Sequence, residues 1–330
     1  MTPAPSMQAL AQEYLDERRR LGFDLGISGA QLMAFARFAD RSGHSGPLTS
    51  RTILAWVQGE ATRATPITWA RRLEIVRPFA RHRARIDPGT EVPAADLFGR
   101  AHRRLAPHIY TDAEIADLVA AAGQLPPRGT LRPATYQTLF GLVAATGLRI
   151  SEALGLRCRD VDLGQGQLTV RQTKFRKSRL LPLHPTVTEA LGRYAAVRRQ
   201  HAEPGPDAFF FVSPSGAGLP LRTVHCVFAR LRSALGWTAR GNHPAPRIHD
   251  LRHTFICRRV LLWHEQGADI DNAMLALTTY VGHAKVSDTY WYLSGVPDLM
   301  AAAGQRFERF AAVAGEDVPG EDGPGEDGHG

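Results

Sequence analysis

The chain has 330 residues, 44% of them apolar and 22% charged, which is enough for two domains that each bury a core. No apolar run approaches the roughly 18 residues that span a bilayer, and the first residues lack the basic-then-apolar pattern of a secretory signal, so a cytoplasmic protein is expected. Three cysteines without close spacing, Cys158, Cys226 and Cys257, exclude a disulfide framework or a cysteine zinc site and are expected in cores, while the net charge of +8 favours a polyanionic partner such as nucleic acid.

That charge is unevenly placed. Residues 316–327 carry six acidic groups (Glu316, Asp317, Glu321, Asp322, Glu326, Asp327) and no basic ones, so the rest of the chain carries +14. Of the 40 basic residues only Lys174, Lys177 and Lys285 are lysines. Arginine stays charged at any accessible pH whereas lysine can give up a proton, so each surviving lysine asks for a reason.

In chain order, residues 7–86 read as four helices, with Leu10, Tyr14 and Leu21, then Leu32, Phe35 and Phe38, on apolar faces and breaks at 22–29, 42–50 and 59–66. Arg71, Arg72, Arg77, Arg81, Arg83 and Arg85 crowd the fourth helix, where they either line a phosphate backbone or form a solvated face. Residues 87–108, with Pro88, Gly89, Pro93 and Pro107, read as a linker. A second domain, 109–314, opens on Thr111-Asp112-Ala113-Glu114, a capping-box spacing, and two helices follow across about 113–157. Gln167 to Thr173 and Ser178 to Leu183 alternate around a short basic stretch and predict a β-hairpin; helices resume near 186 and run to about 313, interrupted at 202–220 and 238–247. Residues 315–330, with repeated Gly-Glu-Asp, read as an acidic disordered tail. The fold class expected is mainly α with a small β-hairpin or sheet.

Four separated stretches carry residues suited to one chemistry. Thr146-Gly147-Leu148-Arg149-Ile150-Ser151-Glu152 sets an arginine at a helix start behind a turn glycine, and Thr173-Lys174-Phe175-Arg176-Lys177 forms the hairpin tip. His249-Asp250-Leu251-Arg252-His253-Thr254 places His249 and Arg252 on one helix face, and Gly282-His283 is followed by Tyr290-Trp291-Tyr292. Singly, each has a plain structural reading as a capping arginine or a satisfied core histidine. Together and in this order they resemble the signature of the tyrosine recombinase family, also called the phage integrase or Xer-type family: T-G-x-R-x-S-E, a hairpin lysine, H-x-x-R, G-H, and a tyrosine nine residues after that histidine. The resemblance is good over residues 111–300 and looser over the first domain.

It implies the following expectations. Catalysis would rest on Arg149, Lys174, His249, Arg252, His283 and Tyr292, supported by Glu152, with no metal and no cofactor. Two arginines and His283 would meet the negative charge that grows on the phosphate, His249 would accept the Tyr292 proton, and Lys174 would give a proton to the leaving 5′ oxygen. Alignment on Arg179-Leu180-Leu181-Pro182-Leu183 prefers Lys174 over Lys177, with Lys177 and Arg176 left to DNA contact. Tyr290 and Tyr280 compete with Tyr292 as nucleophile, and Asp250 reads as a local helix-start hydrogen-bonder. Residues 1–86 would be a core-binding, SAM-like DNA clamp. The partner would be double-stranded recombination sites, bound as a homotetramer on two duplexes or with related recombinases in the nucleoid. Leu299, Met300, Phe307 and Phe310 would then either dock on a neighbouring subunit or pack on their own domain. The longer stretch between Thr254 and Gly282, and Tyr280-Val281 before Gly-His, point to a transposon- or phage-borne branch. A type IB topoisomerase and a non-catalytic DNA-binding regulator share parts of this pattern.

Overall fold

The computed structural model describes residues 5–59, 65–101, 105–171, 178–201 and 205–295, with backbone alone at 292–295. The chain divides into two compact units, Met1–Arg104 and Leu105–Gly330.

The first unit holds the four expected helices: α1 (Met7–Arg20), α2 (Gly26–Arg41), α3 (Ser50–Gly59) and α4 (Pro66–Ile86). Side-chain caps start two of them, Ser6 accepting from the backbone of Ala9 and Thr65 from that of Thr68. Their apolar faces close on Phe35, Ile53, Trp56, Leu73 and Phe79, each at most 1% exposed, and each such side chain contributes about 1.5–3 kcal/mol by leaving water.

The stretch read as a linker is largely part of this unit. Val92 and Phe98 pack on its core, Phe98 against Trp69, and Glu91 is tied to the loop before α3 through Leu48 O and the Ser50 N–H. Proline and glycine removed the helical period there, and the apolar anchors are too sparse to form a pattern of their own.

In the second unit, α5 (Asp112–Ala122) starts at Thr111 with the anticipated reciprocal capping box to Glu114. Where two helices were expected to 157 there are three: α6 (Leu131–Thr146) ends at Gly147, and the short α7 (Ile150–Gly155) follows. A 3₁₀ turn, Cys158–Asp160, leads to a three-stranded antiparallel sheet of β1 (Val161–Asp162), β2 (Gln167–Val170) and β3 (Arg179–Pro182) in sequence order. Pairing of Leu168 with Leu181 turns both to the core. Then come α8 (Pro185–Arg199), α9 (Leu221–Ala234), α10 (Ile248–Glu265), α11 (Ile270–Val281) and α12 (Ser287–Gly295). Among the described residues no helix is long and apolar enough to cross a membrane. The cysteines differ from expectation: Cys257 is buried and Cys158 half-buried, but Cys226 lies on the exposed face of α9.

Two glycines shape this unit where it matters. Gly147 ends α6 at φ 65° with its carbonyl turned to α10, and a Cβ there would lie 2.5 Å from the Phe255 ring. Gly129 has a similar φ of 73° but nothing within 4 Å of its missing Cβ. Gly129→Ala should therefore cost only the backbone penalty of roughly 1–2 kcal/mol, whereas Gly147→Ala adds overpacking and should cost about 2–4 kcal/mol. Urea unfolding of the two variants measures the difference, and equal losses would show that Phe255 yields without cost.

Candidate active site

Three of the four motif stretches meet at the end of α11. A helix leaves its last carbonyls without intrahelical donors, and its dipole makes that end partly negative. Here every one of them is accounted for. The Gly282 turn, at φ 69°, brings the backbone N–H of Gly282 to Thr279 O and that of His283 to Thr278 O. The next three carbonyls each accept from an arginine of a different element. Arg179 of β3 donates through Nε to Tyr280 O at 2.8 Å, Arg252 of α10 through Nη2 to Val281 O at 2.7 Å, and Arg149 through Nη2 to Gly282 O at 3.1 Å.

Arg149 sits at the N-cap of α7, held by Glu152: its backbone N–H donates to Oε2 at 3.1 Å and its Nη1 to Oε1 at 2.8 Å. The same carboxylate receives both Nη atoms of Arg179, at 3.2 and 2.8 Å. Burial by itself would raise the Glu152 carboxyl, but the hydrogen bond and charge of Arg179, with those of Arg149, hold it below the ordinary carboxylate range. Its expected role as a buttress of Arg149 thus extends to a second guanidinium. Breaking such a buried pair by removing one partner typically costs about 3–5 kcal/mol.

The two signature arginines differ in access. The Arg149 side chain is 31% exposed, whereas Arg252 is 1% exposed and ties the site together from inside, donating to Gly147 O at 2.8 Å as well as to Val281 O. Arg252 and His249 lie near the start of α10, where Asp250 caps the helix as read from the sequence, accepting from the Arg247 backbone at 2.8 Å and from its Nη2 at 2.6 Å.

Three histidines stand among these cations. Loss of solvation, then the charges of Arg252, Arg247 and Arg149, push His249 down from 6.5 to about 4. Its ring nevertheless remains water-accessible, and that access screens the charges and weakens the shift. His253, edge-on to His249 with ring centroids 4.7 Å apart and also against Trp291, is pushed to about 2 by burial, with His249, Arg247 and Arg252 adding to it. For His283 burial, Arg252 and Arg149 lower the ring to about 4 against the opposing pull of Asp288. Its Nδ1 lies 2.7 Å from Thr289 Oγ1 in α12.

The structure thus brings Arg149, Glu152, His249, Arg252 and His283 together. The backbone of Tyr292 lies in α12, three residues after Thr289; its side chain is outside the described residues, as are Lys174, Arg176, Lys177 and the residues Leu299, Met300, Phe307 and Phe310. The rival tyrosines are engaged elsewhere. Tyr290 donates to Asp271 Oδ1 at 2.7 Å, a bond that raises its phenol, and Tyr280 stacks on Phe255.

Sequence reasoning missed Arg179 as a site residue, although it alternates with buried Leu181 on the inner face of β3, and an inward arginine asks for a carboxylate. Thr278 and Thr289 were missed too, and ordinary threonines give no signal. In the first unit the arginine row of α4 divides. Arg71 bonds Ala101 O, Arg77 bonds Pro93 O, and Arg72 bonds Trp56 O while lying over the Trp56 ring, so these three help hold their own unit together; Arg71, Arg81 and Arg85 are exposed and Arg83 is half-buried.

The lowered histidines set an acid limit. A ring whose folded value lies below 6.5 contributes stability that is complete above 6.5 and is lost as the pH falls toward the folded value. Between pH 6.5 and about 4, His253 and His283 should make the unfolded chain bind roughly two more protons than the folded one, with a smaller share from solvent-screened His249. Urea unfolding as a function of pH should show stability of the second unit falling through that window with at least this proton linkage. Level stability from pH 6.5 to 5 would show that the rings charge without penalty in the folded protein.

The phage integrase family matches residues 110–295 of this chain. The chain is 40% identical over 302 residues to y4rB of Sinorhizobium fredii, which carries the name integrase/recombinase, the match covering 90% of this chain and 96% of that relative. It is 30% identical over 307 residues to the tyrosine recombinase XerC of Methylobacterium nodulans, covering 88% and 89%. Among solved structures, the Tn1549 transposon integrase in complex with transposon right end DNA superposes with a TM-score of 0.64 at 18% identity, covering 92% of this chain and 99% of that one, a likeness of fold.

Proposed function

This chain belongs to the phage integrase family and is a site-specific tyrosine recombinase; from that premise we propose that Tyr292 makes its covalent bond to DNA and that the cluster at the end of α11 grips the scissile phosphate. The observation that carries this reading is the convergence of Arg149, Arg252 and His283 on the end of α11, with His283 bonded to the helix that bears Tyr292. Engagement of Tyr290 with Asp271 and of Tyr280 with Phe255 supports Tyr292 as the reacting phenol.

In the proposed step the Tyr292 oxygen attacks phosphorus, a phosphotyrosine bond forms, and the bond to the 5′ oxygen breaks. The crowded phosphorus centre carries extra charge on its non-bridging oxygens, which fixed cations stabilise without rearranging. Arg149 presents an accessible planar fork for two such oxygens. A free tyrosine is ionised only to about one part in a thousand at pH 7, so its proton needs an acceptor, and water-accessible His249, held neutral by its surroundings, is suited to take it. Lys174 supplies the proton to the departing 5′ oxygen. Because the phosphotyrosine conserves the energy of the bond it replaces, a 5′ hydroxyl of another strand reverses the step without ATP, and two rounds of exchange through a Holliday junction recombine two sites.

The finer assignments follow the same reading: a tetramer on two duplexes, a mobile-element branch, a cytoplasmic site of action at the nucleoid, and a first unit that clamps DNA through the arginines of α4, of which Arg71, Arg81 and Arg85 are exposed.

Two experiments test this on a nicked duplex carrying the protein's recombination site. Tyr292→Phe should bind it unchanged yet give no covalent complex, by denaturing gel, whereas Tyr290→Phe should give the wild-type yield; cleavage by Tyr292→Phe ends the assignment. Replacement of Lys174 by alanine should slow cleavage by roughly 10²–10⁴-fold, the worth of a positioned proton donor, and a 5′-thio leaving group, which needs no proton, should restore it. Rescue that instead follows Lys177→Ala would transfer the role to that residue.

A further inference from the structure

The His283 ring is held by a chain of hydroxyls whose hydrogens can be counted. Thr278 Oγ1 lies 2.7 Å from Met274 O, and a carbonyl can only accept, so the single hydroxyl proton of Thr278 points there. Thr289 Oγ1, 2.8 Å from Thr278 Oγ1, must then be the donor of that pair. With its own proton so committed, Thr289 Oγ1 can only accept from His283 Nδ1, 2.7 Å away. Thr278 and Thr289 are 6% and 0% exposed, so bulk water has little access to reverse the chain.

We propose that Thr289 is a positioning residue that keeps a proton on His283 Nδ1, so that Nε2 is an acceptor in the neutral ring and becomes a donor to the scissile phosphate only when DNA binding brings the imidazole a second proton. The part concerning phosphate rests on the recombinase reading; the placement of the proton does not. Among the described residues, the charged and titratable groups that act most on the ring are Arg149 at the start of α7, Arg252 and His249 of α10, and Asp288 at the start of α12. Burial first, then two guanidiniums against one carboxylate, keep the ring neutral without DNA, and the negative phosphodiester offsets the guanidiniums on binding. The second proton comes from solvent, and the donor then needed at the phosphate is the N–H it creates.

Thr278→Val separates this role from a merely structural one. It removes the acceptor of the Thr289 proton with little change of shape, so Thr289 is released to donate to Nδ1 and the ring proton should move to Nε2. Histidine-selective ¹⁵N labelling of the full DNA-free chain, with the His283 signals assigned by their loss in His283→Gln, reads the tautomer directly. The wild type and Thr289→Ser should show a pyrrole-type Nδ1 and a pyridine-type Nε2, and Thr278→Val the reverse. On the nicked duplex, wild-type cleavage should fall about tenfold per pH unit above the His283 titration, and this limb should vanish in Thr278→Val, whose neutral ring already donates from Nε2. A wild-type ring protonated on Nε2 overturns the proposal, as does a Thr278→Val variant with the wild-type tautomer and pH profile. Absence of any covalent complex with wild type would instead strike the recombinase reading and leave the tautomer result standing.

Discussion

The end of helix α11 is the constraint on which the site depends. Three guanidiniums in one pocket repel one another, and they stay together because successive carbonyls at Tyr280, Val281 and Gly282 each hold one of them. Glu152 adds a full negative charge shared by two of the three. Carbonyls carry only partial charge, so the bonds that hold these guanidiniums in place do not cancel their positive charge. Such an arrangement fixes the geometry of the cations and leaves their field available to an anion. A pocket that neutralised each arginine with its own carboxylate would fix the geometry equally well and repel a phosphate.

The glycines are part of that constraint. Gly147 and Gly282 both adopt the left-handed conformation that ends a helix, and both have a carbonyl that accepts from a signature arginine. Neither leaves room for a side chain, since a Cβ would lie 2.5 Å from Phe255 at Gly147 and 2.7 Å from Arg179 at Gly282. The glycines of the T-G-x-R and G-H motifs are thus explained by backbone geometry before any chemistry is invoked.

The sequence made legible what is written in side-chain periodicity and local chemistry. The four helices of the first unit, the Thr111 capping box, the hairpin strands and the placement of Arg149 and His249 at helix starts all follow from patterns within a few residues. What it did not reveal rests on backbone acceptors and on long-range pairs. Nothing in the letters Tyr280-Val281-Gly282 announces three carbonyls that collect arginines from β3, α7 and α10. The sequence likewise shows six arginines on α4 without showing which of them also bond to the backbone of their own unit. Arg71, Arg72 and Arg77 find carbonyls at Ala101, Trp56 and Pro93, and only the folded chain shows which cations remain exposed. Residues 87–101 were misread for a related reason, because packing by Val92 and Phe98 needs no periodicity.

Helix α12 brings these strands of argument together. The helix is held on the rest of its unit by contacts of its described residues with α10 and α11. Those contacts include Tyr290 on Asp271, Trp291 on the cluster formed by α10 and α11, and Thr289 between Thr278 and His283. The first is exposed and adds little, whereas the last is buried and directional. Seating α12 therefore does two things through one hydroxyl. It brings the backbone of Tyr292 to the cationic cluster, and it supplies the acceptor that fixes the His283 proton. Were the helix to leave, Thr289 would go with it and the ring would lose the partner that sets its tautomer. Placement of the Tyr292 backbone and the choice of tautomer at His283 are, on this geometry, coupled through Thr289.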